Sequence, residues 1–244
     1  ADYTSFKMVY FTMAACMFIG IVTTLLTPEP EISAGTPKSM KEAVIDPFKD
    51  YFSRSGALWI LAFILFYKIG DTMASAMTVP FYLDMSFSKT EIGSVVKLFG
   101  FWATILGSLA GGIFILRYGI NLSLWVFGFL QAVSTAGFAV LSYIGHNIPA
   151  LAAVVAFENL SAGLGTSAFV AFMASLTNKK FTATQYALLS SLMGVPRVFA
   201  SAPTGFMAEA MGWSGFFIFC ALIAIPGMLL LLKFAPCRRE NENG

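Results

Sequence analysis

The chain has 244 residues, 57% of them hydrophobic and 11% charged, and its net charge is +2. Ordinary soluble domains carry roughly 25% charged residues, and too little polar surface remains here to cover a water-facing fold. So small and scattered a positive charge also argues against a nucleic-acid partner, which needs a concentrated basic face.

Cys16, Cys220 and Cys237 are far apart and form no Cys-x-x-Cys pair, so neither a metal site nor a disulfide framework is implied. The first residues, Ala-Asp-Tyr, carry no basic leader or cleavage signal, and the chain reads as an excerpt of a longer protein or a half-gene product.

A membrane helix needs roughly 20 largely apolar residues. Seven segments qualify in chain order: 8–26, 57–83, 91–116, 121–144, 149–175, 184–208 and 214–235. The alternating pattern of strands is absent, so helices must satisfy the backbone within lipid. The first segment is uncharged and is followed by the long polar connection 27–56. In its second part Met40, Val44, Ile45, Phe48 and Phe52 recur at helical spacing between charges. That pattern predicts an amphipathic helix on the membrane surface.

Charges within spans are costly, about 2.5–3.5 kcal/mol each, and usually face a bundle interior or wet cavity. The second span has Lys68 and Asp71, three apart on one helix face, where they can neutralise each other. The third has Lys97, the fifth Glu158 beside Asn159, and the sixth Arg197 after Pro196. The fourth and seventh have none before Lys233. From span two onward the order is charged, charged, uncharged, twice over. Two three-helix repeats, each with its last helix turned to lipid, would give that order, and nested triplets are the pattern of major facilitator transporters.

Glu158 and Arg197 are a candidate ion pair. Lys68, Lys97 and Arg197 outnumber Asp71 and Glu158, which would suit an anionic substrate. Asn159, Thr166 and Gln185 are weaker polar candidates.

Lys38, Lys41, Lys49, Arg54, Arg117, Lys179, Lys180, Lys233, Arg238 and Arg239 fall on one side of the expected membrane, against Lys7 and Lys89 on the other. The positive-inside rule therefore predicts a cytoplasmic carboxyl terminus. The expected organisation is a last helix of an amino-terminal half (1–26), a central loop (27–56), a six-helix bundle (57–235) and a cytoplasmic tail (236–244).

Gly107 and Gly111 form a GxxxG spacing that permits close helix approach, and Pro196, Pro203 and Pro226 permit kinks. Trp59, Trp125 and Trp213 fall near span ends, as interface anchors do. Gly163-Leu-Gly165-Thr-Ser-Ala168 only superficially resembles a dinucleotide fingerprint, because no strand precedes it. His146 reads as an ordinary loop residue. No nucleophile, base and orienting group occur together, so no enzyme, no catalytic residue and no cofactor is expected.

After the third span, Gly112-Ile-Phe-Ile-Leu-Arg117-Tyr-Gly119 resembles the facilitator signature Gly-x-x-x-Asp-Arg-x-Gly, with Leu116 in place of the acid. The charge-relay role of that acid is therefore in doubt for this chain. Longer stretches are more specific: PFKDYFSR (47–54), YKIGDTMASAMTVPFYLDMSFSKTEIG (67–93) and FENLSAGLGTSAFVAFMASLTNKKFTATQYALLSSLMGVPRVF (157–199) resemble the AmpG permeases over essentially the whole chain.

The resemblance implies an all-α integral membrane protein of the bacterial inner membrane, spanning helix six to helix twelve of a facilitator fold. It implies proton-driven import of N-acetylglucosaminyl-anhydromuramyl peptides, feeding peptidoglycan recycling and, in some bacteria, β-lactamase induction. The implied partners are the muropeptide, protons, membrane lipid and the amino-terminal six-helix half. By position, Lys68, Asp71, Lys97, Glu158, Asn159 and Arg197 are the pathway candidates, with Glu158 or Asp71 titrating. Acetyl-coenzyme A transporters, distant relatives of similar plan, and a non-transporting split-gene fragment remain alternatives.

Overall fold

The computed structural model describes residues 6–27, 45–54, 56–178 and 181–234. Met40, Val44, Lys38, Lys41, Lys179, Lys180, Cys237, Arg238 and Arg239, with the expected tail, lie outside the described residues. Helix α1 (Phe6–Leu26) belongs to a unit of its own, residues 1–38. It is apolar all round, with Phe11, Met17, Phe18 and Leu25 exposed, as suits a helix surrounded by lipid or by other helices.

The second unit comprises α2 (Asp46–Ser53), α3 (Ala57–Asp84), α4 (Lys89–Val95), a π-helical turn (Val96–Gly100), α5 (Phe101–Tyr118), α6 (Ile120–Ile144) and α7 (Ile148–Ser175). It continues with α8 (Thr182–Leu192), a second π turn (Pro196–Ala200), α9 (Thr204–Leu222) and α10 (Ala224–Phe234). Among the described residues, five stretches, 57–84, 89–118, 120–144, 148–175 and 204–233, are long and apolar enough to cross a membrane.

The expected span 184–208 is not one straight rod. It is α8, the second π turn and the start of α9, interrupted because Pro196 and Pro203 each lack the N–H that an unbroken helix needs. Helical geometry also breaks at Gly212 (φ 69°, ψ 167°), between the expected sixth and seventh spans.

Helix α7 packs against α5 and α6, α6 also against α9, and α3 against α9 and α10. The α5–α7 crossing runs through glycines. A Cβ on Gly107 would lie 2.2 Å from the Leu160 carbonyl oxygen, and one on Gly163 would lie 2.5 Å from that of Thr104. Gly111 meets Leu164 and Ser167 in the same way. The GxxxG therefore brings two backbones together, and the apparent nucleotide fingerprint contributes glycines to the same contact.

Helix α6, the third of its triplet, buries one side in the bundle and keeps the other apolar and exposed. Half of its most apolar stretch is buried (50%), against 22% for the α4–α5 rod. Only one side, with Phe129, Val133, Val140 and Tyr143, is exposed. The reason is packing on several sides at once, against α7, α9, α3 and α10.

At one end of the unit, α2 presents two faces. Pro47 and Tyr51 are buried against the bundle, while Ile45, Phe48 and Phe52 form an exposed apolar stripe. Burial pushes the Tyr51 hydroxyl up to about 12.

The same helix is tied to the α7–α8 connection. Arg54 Nη1 donates to the Leu176 carbonyl (2.6 Å) and Nη2 to Asp50 Oδ2 (2.6 Å). Gln185 Nε2 donates to Asp50 (2.8 Å) and to the Pro47 carbonyl (3.1 Å), and the Asn178 amide N–H donates to Gln185 Oε1 (2.7 Å). Hydrogen bonds from Gln185 and then Arg54 hold the Asp50 carboxyl below its ordinary 3.8. At the opposite end Trp213 Nε1 donates to Asp84, and Ser88 caps α4 in a reciprocal box with Glu91.

Candidate functional site

The core consists of two apolar clusters with a polar layer between them. One cluster contains Phe81, Phe138, Val155, Phe216 and Phe217; the other contains Phe63, Tyr67, Phe127, Phe169 and Phe172. On α3 they meet at Lys68 and Asp71, on α6 at Gln131, Ser134 and Thr135, and on α7 at Glu158 and Ser161. These positions lie near mid-length of their helices. Polar groups at that depth must satisfy one another, a wet cavity or a ligand.

Lys68 is 7% exposed and its Nζ donates to Asp71 Oδ2 at 3.1 Å. Glu158 reaches the same spot from α7, where Asp71, Ser134 and Lys68 are its electrostatic neighbours. Its Oε2 is buried with no hydrogen-bond partner among the described residues. Asp71 holds the one ammonium and Glu158 stands beside the pair, a cluster that a single proton would make neutral.

The expected Glu158–Arg197 ion pair is not present among the described residues. Glu158 faces the interior, whereas Arg197 is exposed on the second π turn. The layer opens onto a cavity of about 880 Å³ whose walls include Lys68, Asp71, Thr166, Ser190 and Arg197.

Other expected site residues stand elsewhere. Lys97 is exposed on the first π turn and is not in that cavity wall. Asn159 accepts from Thr104 Oγ1 (3.2 Å) and donates to the Val155 carbonyl (2.8 Å), so it joins α5 to α7. Gln185 is fully buried in the α2 network instead of the cavity. In the signature loop Gly119 adopts φ 83° between α5 and α6, a conformation that favours glycine. Arg117 lies over the Tyr118 ring at 5.5 Å, Leu116 is 90% exposed, and a Cβ on Gly112 would meet no neighbouring element within 4 Å.

The two π turns occupy corresponding places in the two triplets. Residues 95–100 read VVKLFG and 195–200 read VPRVFA, each with a basic residue second in the turn. The first turn packs on α7 and the second on α3, so each touches the leading helix of the other triplet. Isolated π turns interrupt α-helices mostly at functional places.

Sequence reasoning passed over Gln131, Ser134 and Thr135, because their span has no charge. Their spacing, in line with Phe127 and Phe138 on the buried stripe, was the available signal.

Comparisons with known proteins agree with this architecture. The family model of the Major Facilitator Superfamily matches residues 1–199 and 68–244. The chain is 44% identical over 234 residues to the anhydromuropeptide permease of Escherichia coli (strain K12), covering 96% of this chain and 47% of that protein. It is 40% identical over 248 residues to an uncharacterized protein of Haemophilus influenzae, covering 97% of this chain and 58% of that protein. The chain thus spans about half the length of the curated relatives it matches. Helices long enough to cross a membrane, a polar layer at their mid-length and a family match over most of the sequence lead to one conclusion: the chain is a multi-pass, all-α membrane protein belonging to the Major Facilitator Superfamily.

Proposed function

We propose that this chain acts as the carboxyl-terminal half of a proton-coupled importer of N-acetylglucosaminyl-anhydromuramyl peptides in a bacterial inner membrane, with its carboxyl terminus cytoplasmic. The observation that carries the reading is the Lys68–Asp71–Glu158 cluster at the edge of a cavity of about 880 Å³. In facilitator folds substrate and coupling ion meet near the bilayer midplane, between the two halves.

Arg197 on the cavity wall, and Lys97 at the matching place in the other triplet, are basic groups suited to the carboxylates of a muropeptide. Asp71 and Glu158 are the groups to carry the proton, because two carboxyl groups lie beside a single lysine. Similarity to a protein named as an anhydromuropeptide permease supports the substrate class.

The test is uptake of labelled anhydromuropeptide in cells lacking their own permease. This chain is expressed alone and within a complete transporter, each with and without a protonophore. Uptake by the complete form, abolished by the protonophore, is expected. Asp71→Asn and Glu158→Gln should each lower proton-driven uptake by about a hundredfold or more, the scale of a single acid–base group. Unchanged uptake in both variants would refute the assignment of the proton to this cluster.

A further inference from the structure

Behind the Lys68–Asp71 pair, between α3, α6, α9 and α10, lies a second, much smaller cavity of about 10 Å³. That is about the smallest space that accommodates one water molecule. Its wall includes Asp71, Gln131 and Thr135, beside Tyr67 and Cys220. Gln131 is 6% exposed, and its Nε2 has no hydrogen-bond partner among the described residues.

The Gln131 amide also lies against α7, where a Cβ on Gly165 would be 3.3 Å from its Nε2. A Cβ on Gly165 would lie 2.4 Å from Gln131 Oε1, so this glycine of α7 makes the room in which the side chain lies. An amide donor with no partner inside an apolar bundle is costly, and native proteins usually supply one, often a water.

We propose that this cavity holds one ordered water that accepts from Gln131 Nε2 and donates to the Asp71 carboxylate and the Thr135 hydroxyl. Three polar partners are what a buried water typically has. Lys68 takes one position on Asp71 Oδ2, and an ionised carboxylate has further lone pairs on which to accept a water. Tyr67 does not compete, because its hydroxyl donates to the Leu124 carbonyl at 2.9 Å.

Gln131 and Thr135 are then positioning residues, acting on proton exchange at Asp71 through the water. The other titratable or charged groups around Asp71 are Lys68 and Tyr67 on α3, Glu158 on α7, Cys220 on α9 and Arg197 across the open cavity. This role rests on the proton-coupled reading above, whereas the water itself does not.

Two measurements test it. A structure of the intact transporter at a resolution that shows ordered solvent should contain a peak within about 3 Å of Gln131 Nε2 and an Asp71 oxygen. An unoccupied cavity at that resolution overturns the proposal.

The second is uptake against pH for Gln131→Leu, which keeps the bulk but removes the donor, and for Thr135→Val. Losing a hydrogen bond to the ionised carboxylate should move the midpoint alkaline by about one pH unit, a tenfold change in proton affinity, at unchanged substrate KM. If the leucine variant does not fold, the valine variant carries the comparison. A solvent peak with an unshifted midpoint overturns the positioning role. Uptake by the parent that ignores a protonophore instead overturns proton coupling and leaves the solvent peak to decide the water.

Discussion

Gln185 is the residue whose loss should most weaken the end of the bundle where α2 docks. It is fully buried, its Nε2 serves both Asp50 and the Pro47 carbonyl, and its Oε1 takes the Asn178 amide N–H. Neutral hydrogen bonds contribute roughly 0.5–1.5 kcal/mol net and those to charged groups roughly 1.5–3 kcal/mol. Asp50 keeps Arg54 and Asn178 as donors after Gln185→Ala, so the sum is not lost in full. Allowing for that retention, Gln185→Ala should cost about 3 kcal/mol.

Asp50→Asn should cost about 1 kcal/mol, because the Asp50 and Arg54 side chains are 31% and 34% exposed and such pairs are weak. The assay is reversible unfolding in mixed detergent micelles, with the double variant closing a thermodynamic cycle. A coupling of roughly 1 kcal/mol between the two positions is expected. Strict additivity, or an Asp50→Asn cost equal to that of Gln185→Ala, would show that the buried amide does not join α2 to the α7–α8 connection.

Three further predictions concern stability. The Asp50 carboxyl titrates below 3.8 in the folded protein, so its contribution is complete above that value and is lost as pH falls through the lower, folded one. Unfolding free energy should therefore drop more steeply in acid for the parent than for Asp50→Asn, and parallel curves would refute this. Gly163→Ala should cost roughly 1–3 kcal/mol, since its Cβ would lie 2.5 Å from a backbone oxygen of α5. Gly112→Ala, with nothing within 4 Å, should stay within about 0.5 kcal/mol when this unit is measured by the same unfolding assay.

The spans, the GxxxG contact and the Lys68–Asp71 pair were legible because each depends on local spacing along one helix. The companion of Glu158 was not, since which carboxylate meets which cation depends on how α3 and α7 rotate against each other. Gln185 was read as a cavity residue because an isolated polar residue in an apolar run looks the same whether it faces a pathway or a docked neighbour. Gln131 is illegible for a related reason: its span has no charge to mark an interior face, and a helix can bury a polar stripe without one. The interruption of the sixth span was foreshadowed by Pro196 and Pro203, but only the backbone shows that the chain takes a π turn there.

Those two π turns have a mechanical consequence. Each holds one residue more than an α-helical turn would, a small reserve of chain stored within an otherwise taut rod. Such slack can pass along a helix by swapping one hydrogen bond at a time, so the rod can bend or lengthen without ever coming apart. Both reserves lie where a rod leans on the leading helix of the opposite triplet, and a basic side chain sits beside each. An anion drawing on Lys97 or Arg197 would thus pull at the most yielding point of the rod that carries it.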